Sequence, residues 1–168
     1  MSGCALPWGL RRQAAVPLGL GAEGREQPAL SGDGRLLASL VERGGRTTVL
    51  LQERRSGKVL PLRHLRKHQP HASPSLSWNG RYLALLIQRG QRRDAVIEDR
   101  LRGSLLPLRL GGDREPQRLS LAPDGQRIAI EVVVAGRRQV EVYDLGGWLE
   151  PDLPGAQALQ GGGPGPQP

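Results

Sequence analysis

The chain has 168 residues and a formal net charge of +8, with 24 Lys and Arg against 16 Asp and Glu. It has no Phe, two Tyr and three Trp, so a core must be built from Leu, Val, Ile and Ala. The single cysteine, Cys4, excludes an internal disulfide and a cysteine-based zinc site, and no apolar run approaches the ~20 residues needed to span a bilayer. The positive charge points to nucleic acid or an acidic surface, although nearly all of it is Arg, a bias that a GC-rich coding sequence also produces. It is unevenly placed: residues 28–110 carry 16 basic and 6 acidic side chains, the remainder 8 and 10.

In chain order, Ser2-Gly3-Cys4-Ala5 has the look of the end of a lipobox, which would make Cys4 an acylated anchor if a signal segment stood upstream. Residues 1–27, rich in Gly, Pro and Arg, read as a tether, with one strand expected around Ala15 to Leu20. A strand is expected at Ala29–Ser31, then a turn at Asp33-Gly34 and strands at Leu36–Val41, Thr47–Gln52 and Lys58–Leu62. The same order returns after a linker that holds His64, His68 and His71: Ser77-Trp78-Asn79-Gly80 precedes Tyr82–Ile87. It returns again at Ala122-Pro123-Asp124-Gly125 before Arg127–Ile130. The turn glycines Gly34, Gly80 and Gly125 stand 46 and 45 residues apart, and the first two copies align without a gap. The third keeps Val140–Asp144 and then loses its last strand into Gly146-Gly147-Trp148-Leu149.

Four antiparallel strands in about 45 residues, repeated, predict an all-β fold of β-propeller-like blades. Three units are expected, 28–65, 74–110 and 116–149, forming a partial or open propeller or half of a dimeric one. Residues 150–168, dominated by Pro, Gly and Gln, cannot bury enough apolar surface to offset their ordering entropy and are expected to be disordered.

Ala122-Pro123-Asp124-Gly125-Gln126-Arg127-Ile128-Ala129-Ile130, ending in Val142-Tyr143-Asp144-Leu145, resembles the repeat of the TolB-type, WD-repeat-like propellers. The first copy replaces the motif's Pro with Gly32, and the second has Trp78-Asn79 for Pro-Asp. The resemblance covers about 28–149 and leaves no room for the second, N-terminal domain of TolB. It implies a propeller scaffold of a bacterial cell envelope that binds a protein partner, periplasmic or envelope-associated, lipid-anchored if Cys4 is acylated.

No catalytic constellation is evident: there is no G-x-S-x-G elbow, P-loop or dinucleotide fingerprint. A non-enzymatic protein without cofactor or metal is expected. Asp33, Asn79 and Asp124, beside Gly34, Gly80 and Gly125, read as structural turn residues that bond their own backbone. The three histidines read as solvated linker residues with no carboxylate nearby. The arginines make the better functional case. In a blade, the loop between the second and third strands and the loop to the next blade open on one face. Arg43, Arg46, Arg89, Arg92, Arg93, Arg137 and Arg138 fall in the first kind of loop, and Arg63, Arg66, Lys67 and Arg114 in the second. Trp78 is either an exposed anchor or packed on a neighbouring blade. The partner is expected to be a protein, with homodimerisation through open sheet edges as a further expectation. The alternatives are a cytoplasmic nucleic-acid-associated protein that uses the arginine face, or the remaining propeller of a larger hydrolase.

Overall fold

The computed structural model describes residues 23–65 and 69–155; Cys4, Arg66, Lys67 and His68 lie outside these. The described residues form eleven strands and no helix, so none of them provides a helix long and apolar enough to cross a membrane. The first sheet takes β1 (Arg25–Leu30), β2 (Leu36–Arg43), β3 (Arg46–Glu53) and β4 (Val59–Leu60), in that order. The middle sheet takes β5 (His71–Leu76), β6 (Tyr82–Arg89), β7 (Arg92–Asp99) and β8 (Ser104–Leu108). The last has three strands, β9 (Glu115–Leu121), β10 (Arg127–Val134) and β11 (Arg137–Asp144), with β11 at its edge. Every pairing is antiparallel between chain neighbours, as the propeller pattern predicts.

The composition of β6 explains the stacking. Side chains alternate across a strand, so a strand covered on one face alternates apolar with polar, whereas one covered on both does not. Tyr82-Leu83-Ala84-Leu85-Leu86-Ile87 is apolar throughout and buried throughout. Leu83, Leu85 and Ile87 join Leu36, Ala38, Leu51, Leu76 and Val96 in a core between the first and middle sheets. Tyr82, Ala84 and Leu86 join Ile128, Ile130, Val132, Leu119 and Leu121 in a second core on the other side. At roughly 1.5–3 kcal/mol per fully buried large aliphatic side chain, these two layers are the main source of stability.

Turns add polar links between sheets. The Gly32 and Asp33 amides donate to the Ser77 and Trp78 carbonyls at 3.4 and 3.0 Å, and the Trp78 amide donates to the Pro123 carbonyl at 2.6 Å. Along the inner strands, residues one repeat apart bond to each other. The Ser73 amide donates to Gln27 Oε1 at 2.7 Å, one repeat back at 46 residues. The Leu119 amide donates to Ser73 Oγ at 2.9 Å, one repeat on at 46 residues. Close approach fixes the turn glycines. A Cβ on Gly80 would lie 2.5 Å from Leu36, and one on Gly125 would lie 2.6 Å from the Tyr82 ring, both at positive φ. Tyr82 is the repeat counterpart of Leu36, so the same repeat position fills the same notch at both interfaces.

Three elements depart from the sequence expectation. β1 begins at Arg25 rather than Ala29, since a bulge at Gln27 and Pro28 lets the strand continue past its proline. β4 is only two residues long, because the chain leaves the sheet before Pro61. The chain beyond residue 149, expected to be disordered, is held as far as Leu153. Asp152 is buried, and its Oδ2 accepts from Ser77 Oγ (2.5 Å) and from the Asn79 and Arg81 amides (2.8 and 3.3 Å). Its Oδ1 accepts from Asn79 Nδ2 at 2.9 Å. In the first sheet, Asp33 serves its own turn in this way, accepting from Ser31 Oγ and from the Arg35 amide at 2.5 and 2.9 Å. Asp124 accepts from the Gln126 amide at 2.9 Å, as expected for a turn carboxylate. Asn79 does not, and the distant Asp152 supplies the missing carboxylate.

Two stability measurements check these contacts. Gly125→Ala combines left-handed strain with overlap on a buried ring and should cost about 2–4 kcal/mol, whereas Gly44→Ala, with open space at its Cβ, should cost about 1. Asp152→Ala should cost about 2–3 kcal/mol in urea unfolding, because it leaves buried donors unpaired, and adding Asn79→Asp should restore part of the loss.

Candidate functional site

The tips between second and third strands lie at the end of the sheets opposite the turns just described. Arg43 and Arg46 flank the first, Arg89, Arg92 and Arg93 the second, Arg137 and Arg138 the third. Several are partnered: Arg43 with Glu23 at 3.3 Å, Arg89 with Asp94 at 3.2 Å and Arg138 with Glu131 at 3.4 Å. The pairs are largely exposed, so they weaken the field without removing it.

The remaining residues of the expected face are not all there. Because β4 is short, the chain after it runs along the middle sheet toward the turn end, where His64 lies 3.8 Å from Glu98 and close to Gly103. Arg63 is carried with it, away from the tips. Arg114 is engaged by Glu141 at 2.9 Å. Trp78 sits among the turns, half-buried, its ring over Gly32 at 2.6 Å from where a Cβ would stand, so it packs on the neighbouring sheet.

The histidines also differ from expectation. His71 is buried at the start of β5, where Nδ1 accepts the Val49 amide at 3.0 Å and links the first two sheets. His64 does have a carboxylate near it, Glu98. Among the described residues no group of three or more His, Cys, Asp or Glu is placed to hold a metal.

The tips and the inner strands together form a cleft of about 530 Å³. Gln27, Ser73, Gln117 and Arg118 come from the inner strands, and Arg93 and Arg138 reach in from the second and third tips. Bulges create this wall: the pairings of β1, β5 and β9 all shift register, and Gln27 and Ser73 adopt positive φ. Arg93 donates to Gln88 and Gln117 at 3.2 and 3.4 Å, which aims its guanidinium along the cleft. Glu131 is the acidic member of the lining, beside Arg138. The result is a concave, largely cationic groove with amide and hydroxyl groups, suited to binding acidic or carbonyl-rich ligands. Arg118, Gln117, Gln27 and Ser73 were not singled out by sequence reasoning. The available signal was the Gln27-Pro28 and Ser73-Pro74 pair, since proline inside a strand marks a bulge or an edge.

Elsewhere, burial pushes the Glu98 carboxyl above the ordinary range, while His64 and Arg100 pull it down. Glu150 is held below that range by its hydrogen bond from Arg81 and by the Arg102 charge. A carboxyl raised on folding stabilises below its unfolded value, and that stability is lost as pH rises through the folded value. Glu98→Gln should therefore raise the melting temperature at about pH 8 and give little gain at about pH 4, read by thermal melts at both.

No family model and no curated protein matches the chain. Among solved structures it is similar to TolB from Acinetobacter baumannii, with 19% identity and a TM-score of 0.59 over 72% of this chain and 30% of that one. A protein assigned as TolB from Agrobacterium tumefaciens gives 14% identity and 0.60 over 75% and 47%. Kuenenia stuttgartiensis hydrazine synthase gives 16% and 0.54 over 86% and 38%. The chain thus spans less than half the length of each. At these identities the likeness is one of fold: the chain has the blades of a TolB-like β-propeller.

Proposed function

We propose that the chain is a non-catalytic interaction protein of a bacterial cell envelope that holds an acidic segment of a partner protein in the cleft between Arg93, Arg118 and Arg138. The observation that carries this reading is the cleft itself. Three arginines from different strands converge on a concave wall of inner-strand polar groups, on a scaffold of stacked sheets. Rigid strands position the wall and the tips vary around it, the usual division of labour between scaffold and loops. The likeness to TolB supports the envelope setting, and an acylated Cys4 would add a membrane anchor. Nucleic acid is the runner-up ligand for so basic a surface. Against it, none of the described residues that line the cleft is an aromatic on which a base could stack.

Fluorescence anisotropy with a labelled Glu- and Asp-rich peptide tests the cleft. Binding should weaken about 10-fold or more in Arg93→Ala and Arg118→Ala and stay unchanged in Arg55→Ala, at the turn end. No binding, or equal loss in all three variants, contradicts the proposal. So does preference for a single-stranded oligonucleotide with affinity falling steeply in salt, which would favour the runner-up.

A further inference from the structure

The last sheet lacks what the other two have. β4 and β8 cover the third strands of the first and middle sheets, but nothing among the described residues pairs with the outer edge of β11. That strand is eight residues long, and Val140 and Val142, on one face of it, are 69% and 66% exposed. An open strand edge of this length is a template for another strand.

The chain contains a segment with the matching chemistry. The fourth-strand regions read Val59-Leu60-Pro61-Leu62 and Leu105-Leu106-Pro107-Leu108, and Ala15-Val16-Pro17-Leu18 repeats the pattern. Pro17, Pro61 and Pro107 stand 44 and 46 residues apart, the repeat spacing. Proline removes a ladder donor and so suits an edge strand or a bulge, and Pro107 occupies the outer edge in β8. Residues 15–18 thus carry the fourth-strand sequence pattern with no earlier sheet among the described residues to join, and β11 is a third strand without a fourth among them.

We infer that residues 15–18 of one copy of this chain pair with β11 of a second copy, each completing the other's last sheet. The register follows from β8, where Leu106 lies opposite Ile97 and Leu108 opposite Ala95. With Val140 the counterpart of Ala95 and Val142 of Ile97, Val16 lies opposite Val142 and Leu18 opposite Val140, beside both valines on the face turned away from the middle sheet. The donor must be another molecule. Glu23 is held at the first sheet by its contact with Arg43. The five residues from Leu18 to Glu23 span at most about 17 Å. The last sheet is two sheet-packing distances away, about 20 Å, with β11 further out along it. Reciprocal exchange about a two-fold axis satisfies both edges at once.

Light scattering after size exclusion on the full chain, over a concentration series, tests this independently of the cleft. The full chain should run at twice its 18.2 kDa mass. Val16→Asp with Leu18→Asp on the donor side, and Val142→Lys on the acceptor side, should each raise the dimer dissociation constant about 100-fold or more. Circular dichroism checks that each variant is folded. Should Val142→Lys not fold, the donor-side variant keeps the test, because its changes lie outside the three sheets. A monomeric full chain overturns the inference, and so does a dimer that survives the donor-side changes.

Discussion

The structure depends on one constraint: the middle sheet must be apolar on both faces. β6 carries the cost in its sequence, six consecutive apolar residues where a surface sheet would alternate. Its reward is two cores instead of one, each shared with a neighbour. Among the described residues the first and last sheets have that support on one side only. Their order in space is then fixed by notches, Leu36 against Gly80 and Tyr82 against Gly125, because a side chain larger than hydrogen at either glycine would push the sheets apart.

Polar contacts refine what burial begins. Bonds between residues one repeat apart, such as Gln27 to Ser73 and Ser73 to Leu119, set the offset between inner strands. The same inner strands, bulged at those positions, make the wall of the arginine cleft. Stacking and binding surface therefore share a cause: the bulge that satisfies interblade bonding also turns Gln27, Ser73 and Gln117 toward the concavity. At the opposite end Asp152 draws the chain after the last sheet back under the middle one, so the outer units are linked through the turn of the central one.

The architecture was legible in the sequence because a repeat multiplies weak signals. One Asp-Gly or Asn-Gly turn predicts a hairpin; three in register at 45–46 residues predict stacked four-stranded blades. The tip arginines were legible for the same reason, being anchored to hairpin ends. Arg63 was not, because its place depends on how early β4 ends, and Pro61 in the same context as Pro107 gave two different strand lengths. The Asp152 clasp was hidden too: it joins residues 73 apart, outside the repeat register, and lies in a stretch whose composition reads as disordered. Asn79 was the clue, a turn position without the carboxylate its counterparts carry. The cleft was missed because Arg118 and Gln117 gain meaning only when three inner strands stand side by side.

The most direct test of the account is native-state hydrogen exchange along the strands. If the doubly covered sheet is what the others depend on, the amides of Leu83 to Ile87 should exchange last, only through global unfolding, with protection falling outward to β2 and β10 and lowest in β11. Protection in β6 equal to or below that of the outer sheets would contradict it, showing that each sheet is stable by itself.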